Sequence, residues 1–168
     1  MGQVSSGVSA ATRASWARLS GLGAEVGVFA AAGFLPVLLL ALLPTEDIRA
    51  AVVALGLGPV TLALGLSLLM VVLALVGVNP IVTASVFGSI AAQLAVPGLS
   101  NTAIALAITG GWTAVIGLSP FITTLVIAGT IMERSTSRIG LLWNGPYCLA
   151  IFLSWAAFLA ILMWSGAI

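Results

Sequence analysis

The placement of charge constrains this chain more than any other feature. Five basic and four acidic residues are the only charges in 168 positions, and they fall into three groups. Arg13, Arg18 and Glu25 come first, Glu46, Asp47 and Arg49 second, and Glu133, Arg134 and Arg138 third. After them run uncharged stretches of 20 residues (26–45), 83 residues (50–132) and 30 residues (139–168). A helix crosses a bilayer with roughly 20 predominantly apolar residues, so these stretches hold one, three and one. Soluble domains carry about 25% charged residues, whereas this chain carries 5%, is 61% hydrophobic and has a mean hydropathy of +1.29. A membrane β-barrel requires apolar/polar alternation, which the Leu-, Ala- and Val-rich runs lack. The expected fold class is an all-α integral membrane protein with about five transmembrane helices.

Punctuation residues set the expected boundaries. The first helix covers 26–43 and stops at Pro44, before the acidic turn Thr45-Glu46-Asp47. The second lies within 50–78 and is most apolar from Val60 to Val76. The third begins at Pro80 and reaches Val96, where Pro97-Gly98 ends it. At ~1.5 Å per residue it is only about 25 Å long, so it either crosses a thinned region or is re-entrant. The fourth, 102–132, is too long for one straight span and is divided by Gly110-Gly111 and Ser119-Pro120. The fifth covers 147–166, with Trp143 and Tyr147 at one interface and Trp164 at the other, as aromatic belts require. Residues 26–168 thus make a single transmembrane domain.

Basic residues favour the cytoplasmic side. Five crossings put Arg13, Arg18, Arg134 and Arg138 together inside and leave only Arg49 outside, beside Glu46 and Asp47. Residues 1–25 are expected to be a cytoplasmic segment, or a linker joining two membrane halves. They lack the ~7–15-residue apolar core of a signal peptide. Residues 9–19 form either a short interfacial helix around Trp16 and Leu19 or a plain linker. Met1-Gly2 with Ser6 fits a myristoylation pattern, but six residues match easily by chance. The Lys-free, Ala- and Leu-rich composition points to a multi-pass protein of a bacterial inner membrane.

Polar groups inside lipid cost free energy, so their positions are informative. They concentrate in 79–130, among them Asn79, Gln93, Ser100, Asn101, Thr102, Ser119 and several threonines, with Pro80, Pro97 and Pro120 in the same stretch. A broken helix frees carbonyls for a cation and exposes N–H groups to an anion, as at transporter binding sites. The competing reading is packing: Ser and Thr in membrane helices bond the i−4 carbonyl, and small residues such as Ala84, Gly88 and Ala92 let helices approach. No carboxylate lies in the predicted interior, which argues against a proton relay. Sodium, held by carbonyl and hydroxyl oxygens, is the one cofactor this polar set leaves open. The chain has no His and a single cysteine, Cys148. General acid–base or nucleophilic catalysis therefore lacks its usual groups, and no enzyme activity is expected. A net charge of +1 gives no electrostatic footprint for nucleic acid.

Within PGLSNTAIALAITGG, Ser100-Asn101-Thr102 resembles the Ser-Asn-Thr signature of divalent-anion/sodium symporters in the wider ion transporter superfamily. The resemblance covers about 79–132, with three residues carrying most of it. It implies two inverted repeats, each with a re-entrant hairpin and a broken helix, working by an elevator motion. Ser100, Asn101 and Thr102 would then hold sodium and a substrate carboxylate, with Asn79 and Ser119 at the neighbouring breaks. This chain has one such motif and one repeat where the family has two of each, so it would be half of a transporter. An odd number of spans is what one inverted repeat requires. The expected function is a secondary-transporter-like permease, or half of one, for a small solute. Its partners are lipid and either a homo-oligomer or a partner membrane chain. The alternative is a structural or accessory subunit of a membrane complex.

Overall fold

The structure, a computed structural model, describes Trp16 and residues 23–168. Most of the expected 1–25 segment, with Arg13 and Arg18, lies outside the described residues, and so does the side of the membrane those arginines would mark. All regular structure among the described residues is helical: α1 (Gly23–Leu42), α2 (Thr45–Ala54), α3 (Pro59–Leu75), α4 (Pro80–Leu94), α5 (Asn101–Leu118), α6 (Thr123–Met132), a π-helical turn (Arg138–Trp143) and α7 (Gly145–Trp164).

Two helical runs are long and apolar enough to cross a membrane, Asn101–Met132 (32 residues, α5 with α6) and Gly145–Trp164 (20 residues). A third span is available if Val26–Leu42 and Thr45–Ala54 count as one, although they bend by 78° at the break. The apolar helices α3 and α4 have only 17 and 15 residues, about 25 and 22 Å against a ~30 Å hydrocarbon core. By length and apolarity the count is therefore two or three, fewer than the five expected. Turns consume the difference. The uncharged run 50–132 is long enough for three spans, but 55–58, 76–79, 95–100 and 119–122 are not helical, which leaves α3 and α4 short.

Two of the expected boundaries need correction. Thr45-Glu46-Asp47 is not a turn but opens α2, which runs on to Ala54. The second expected helix does lie within 50–78, as α3: Gly56 takes φ +62° after α2, and α3 starts with Gly58 as N-cap and Pro59 in its first turn. Proline suits that place because the first helical N–H lacks an intrahelical partner in any case. Gly110-Gly111 does not divide the fourth helix, since α5 is continuous from Asn101 to Leu118. Both glycines are buried, and a Cβ on Gly111 would come within 2.8 Å of the Ser67 carbonyl oxygen. A Cβ on Gly110 would fall inside the Trp155 indole. They are notches for close approach, not breaks. The Ser119-Pro120 break is real: proline pushes the residue before it toward extended backbone, and Ser119 has φ −73°, ψ 121°. The π-helical turn before α7 is a feature that the sequence pattern does not announce.

Helix α5 is the central element, packed against α3, α4 and α7. Its contacts with α3 climb in parallel. Ala63 and Ala107 share one buried cluster, Ser67 Oγ donates to the Ala107 carbonyl, and Ser119 Oγ donates to the Ala74 carbonyl at 2.7 Å. Helix α7 runs the other way, with Leu159 beside Ala107, Trp155 Nε1 donating to the Leu106 carbonyl at 2.9 Å, and Asn144 Nδ2 donating to the Gly117 carbonyl at 3.2 Å. Helix α4 returns antiparallel alongside α3 and α5. It starts beside the end of α3, and after it Gly98 reaches Pro59 at the start of α3, where an added Cβ would sit 3.1 Å from Pro59 Cγ. Short as it is, α4 therefore runs the whole length of α3. Gly88, on its small-residue face, turns toward Ile108 of α5, so that face packs within the chain at this point.

Alanines make up much of the core, around a few large buried side chains such as Met70 and Leu159. Ala63, Ala74, Ala103, Ala107 and Ala114 are buried, while Val26, Phe29, Phe34, Leu42, Ile131 and Trp164 are 62–77% exposed. In water this would leave large apolar patches uncovered. In lipid, where tails are as apolar as leucine, helices associate through close packing of small side chains and the large ones face outward.

Candidate functional site

Two X-Pro steps that are 40 positions apart in sequence, Asn79-Pro80 and Ser119-Pro120, meet on one cleft of about 230 Å³. Gly77, Trp112, Phe121 and Thr123 complete much of its wall. Here α3 ends, α4 begins, and the chain breaks between α5 and α6. Ser119 is buried, donates to the Ala74 carbonyl at 2.7 Å and accepts from the Phe121 N–H at 3.3 Å, so its hydroxyl fixes the break onto α3. Asn79 is exposed and caps α4, with Oδ1 accepting from the Ile81 N–H at 2.8 Å. That bond aims the amide oxygen at its own helix and leaves the NH₂ end as a donor.

The two helix starts at this cleft differ. Asn79 caps α4, whereas α6 begins after Ile122 with no side-chain cap. The first N–H groups of a helix have no intrahelical acceptor and carry partial positive charge. The carbonyls that the break frees are, by contrast, largely occupied. Val115 O accepts from the Ser119 N–H, Ile116 O from Thr124 Oγ1 at 3.2 Å, and Gly117 O from Asn144 Nδ2. The N–H groups of Phe121, Ile122 and Leu125 are taken too, by Ser119 Oγ, Ser119 O and Ile122 O, and those of Ile81, Val82 and Thr83 by Asn79. Among the described residues, the donors left at this end are therefore the Thr123 and Thr124 N–H groups and the Asn79 amide. No titratable side chain lines the cleft among the described residues, and no cluster of His, Cys, Asp or Glu suited to a metal ion occurs among them.

The Ser100-Asn101-Thr102 motif lies elsewhere, at the opposite end of α5, about 25 Å away for a helix of this length. Ser100 Oγ accepts from the Ala103 N–H at 3.0 Å as an N-cap, and Asn101 and Thr102 are exposed on the first turn. So Asn79 and Ser119 are brought together, and Ser100, Asn101 and Thr102 stand apart from them. Several threonines of the polar stretch bond within their own helices: Thr83 to Pro80 O, Thr109 to Ala105 O, Thr113 to Thr109 O and Thr130 to Val126 O. Sequence reasoning missed Trp112, Phe121 and Thr123 as wall residues, and Asn144 as the group that closes the Gly117 carbonyl. The helix-stop tripeptide Asn144-Gly145-Pro146 is the one signal that marks Asn144. Comparison with protein-family models, with curated proteins and with solved structures finds no match to this chain.

Proposed function

We propose that this chain is a secondary-transporter-like membrane permease, or half of one, that binds a small anionic solute in the Asn79/Ser119 cleft. The observation that carries the reading is the meeting of two proline-marked breaks on one cleft, where the uncapped start of α6 and the Asn79 amide supply donors and the freed carbonyls are largely occupied. Discontinuous helices whose N-termini point at a ligand are the recurring form of transporter sites. At about 230 Å³ the cleft is smaller than a drug-sized pocket, which starts at about 300 Å³, so the solute has few heavy atoms. In this reading sodium finds few ligands at the cleft itself. The Ser100-Asn101-Thr102 end, which the family resemblance assigns to sodium and carboxylate, serves chiefly to start α5.

Five crossings remain the topology we favour, with α3 and α4 spanning a thinned bilayer and α2 lying at its surface. The support is that α3, α4 and α5 alternate in direction over one shared length. Thr102→Cys and Ser165→Cys should then label from one side, and Ser135→Cys from the other. Labelling of Thr102→Cys from the Ser135 side would remove this topology. An odd number of crossings also suits one inverted repeat acting with a second copy or a partner membrane chain.

The functional test is ligand-dependent thermal stabilisation and proteoliposome uptake across a panel of small anions. Asn79→Ala should weaken binding about ten- to hundredfold, the value of one hydrogen bond to a charged ligand, roughly 1.5–3 kcal/mol. Asn101→Ala should bind like the parent. The reverse pattern would move the site to the far end of α5. A second reading, a structural or accessory subunit, has its own observation: the buried Ser67, Thr83 and Ser119 each bond a carbonyl of this chain. Loss of folding yield in Asn79→Ala, with no anion binding in the parent, would favour it.

A further inference from the structure

At the opposite end of the bundle, a cleft of about 500 Å³ opens between α2, the start of α3 and the turn after α4. Its walls are apolar, formed by Val52, Val53, Leu57, Pro59 and Pro97, and Arg49 is the one charged residue lining it. The Arg49 side chain is half-buried, and its Nε and Nη2 donate to the Leu94 carbonyl at the end of α4. A guanidinium carries five N–H donors in a fixed fork, so this latch uses part of it. Nη1 donates to no group among the described residues. Glu46 and Asp47, on the same short helix, are exposed and form no part of the wall. Gly58, the N-cap of α3, also lines the cleft and carries no side-chain cap, which adds positive potential to that of Arg49.

We infer that this cleft seats the headgroup of an anionic phospholipid, with the phosphate on Arg49 and the glycerol and upper acyl chains on the apolar walls. Charge complementarity selects the anion. The apolar lining, continuous with Val53 and Leu55 at 73% and 71% exposure, selects a lipid over a soluble anion. The inference rests on the chain residing in a membrane and is independent of what the Asn79/Ser119 cleft binds. An arginine at a membrane surface is worth about 1 kcal/mol toward anionic lipid, roughly a fivefold preference.

Native mass spectrometry of the full chain, released from micelles holding equal phosphatidylglycerol and phosphatidylcholine, reads that preference directly. The parent should retain phosphatidylglycerol about fivefold over phosphatidylcholine. Arg49→Gln should bring the two lipids to parity. Val53→Glu, one helical turn on, keeps the latch to Leu94 and offers Arg49 an i,i+4 carboxylate, so it should also erase the preference without loss of fold. Equal retention by the parent, or a preference that survives both substitutions, would overturn the lipid site. So would displacement of phosphatidylglycerol by millimolar inorganic phosphate, which would make this a soluble-anion site. A chain that stays in solution without detergent and enters no vesicle would refute membrane residence and the lipid site together. A chain that needs detergent yet shows no preference would refute the lipid site alone.

Discussion

The two ends of α5 look alike in sequence and do different work. One carries Pro97-Gly98 followed by Ser100, the other Ser119-Pro120, and each has an amide close by, Asn101 next in sequence at one and Asn79 brought near by the fold at the other. At the first end the serine accepts from the Ala103 N–H and its neighbours are exposed, which is an ordinary helix start. At the second the serine is buried and bonded across to α3, two chain turns converge, and a helix begins without a side-chain cap. Residue type is the same at both ends. What separates them is which neighbouring element each end meets, and that depends on contacts about 45 positions apart. A polar cluster in a membrane sequence is therefore a list of candidates, and burial against a second break is what sorts them.

The sharpest way to break this comparison is to disturb the rod that keeps the two ends apart. If α5 is one helix notched at Gly111, then Gly111→Leu drives a side chain into the Ser67 backbone. It should cost about 3 kcal/mol, at the top of the overpacking range, seen as a large fall in thermal stability and folding yield. If Gly110-Gly111 were instead a hinge, a side chain there would be tolerated, and replacing glycine in a helix would even stabilise it by roughly 0.5–1 kcal/mol. Gly111→Ala with unchanged or raised stability would show a hinge and unmake the contrast between the ends.

A pair of serine substitutions sharpens the same contrast. Ser119→Ala removes an inter-helix hydrogen bond and leaves the Phe121 N–H without its side-chain acceptor, so it should cost about 2 kcal/mol, within the range for a partly orphaned buried group. Ser100→Ala removes only a cap and should cost about 1 kcal/mol. Unfolding of the two variants under one denaturing condition gives the order. Equal losses would mean that burial does not distinguish the two ends.

Much of the helix layout was legible in the residues. Charge groups, prolines and glycines mark most helix limits to within a few positions, because those residues act through local sterics and solvation, which a sequence carries. Gly110-Gly111 misled because a glycine pair has two physical uses, flexibility and close approach, and only the facing Ser67 and Trp155 decide between them. Only two or three helices are long and apolar enough to span, against the five expected, because turns such as Leu55–Gly58 are as uncharged as the helices they join. Of the candidate site, Asn79 and Ser119 could be picked out as polar groups beside prolines. Their meeting could not, because it depends on α3 and α5 running parallel with α4 returning alongside them.

The smallest expected effect tests the turn that leads into the Ser100 end. Ala95, the C-cap of α4, has φ 46°. The left-handed region costs a residue with a Cβ roughly 1–2 kcal/mol, and glycine enters it freely. Glycine in turn loses about 0.4–1 kcal/mol through its more flexible unfolded chain. Ala95→Gly should therefore stabilise the protein by about 0.5–1 kcal/mol, a small upward shift in the unfolding midpoint. The substitution removes only a methyl group from an exposed position, so packing contributes little to the result. A loss of stability would mean that Ala95 is not left-handed in the folded chain. The 95–100 turn would then close differently, and the Ser100 end would lose its standing as the plain helix start against which the Asn79/Ser119 cleft is measured.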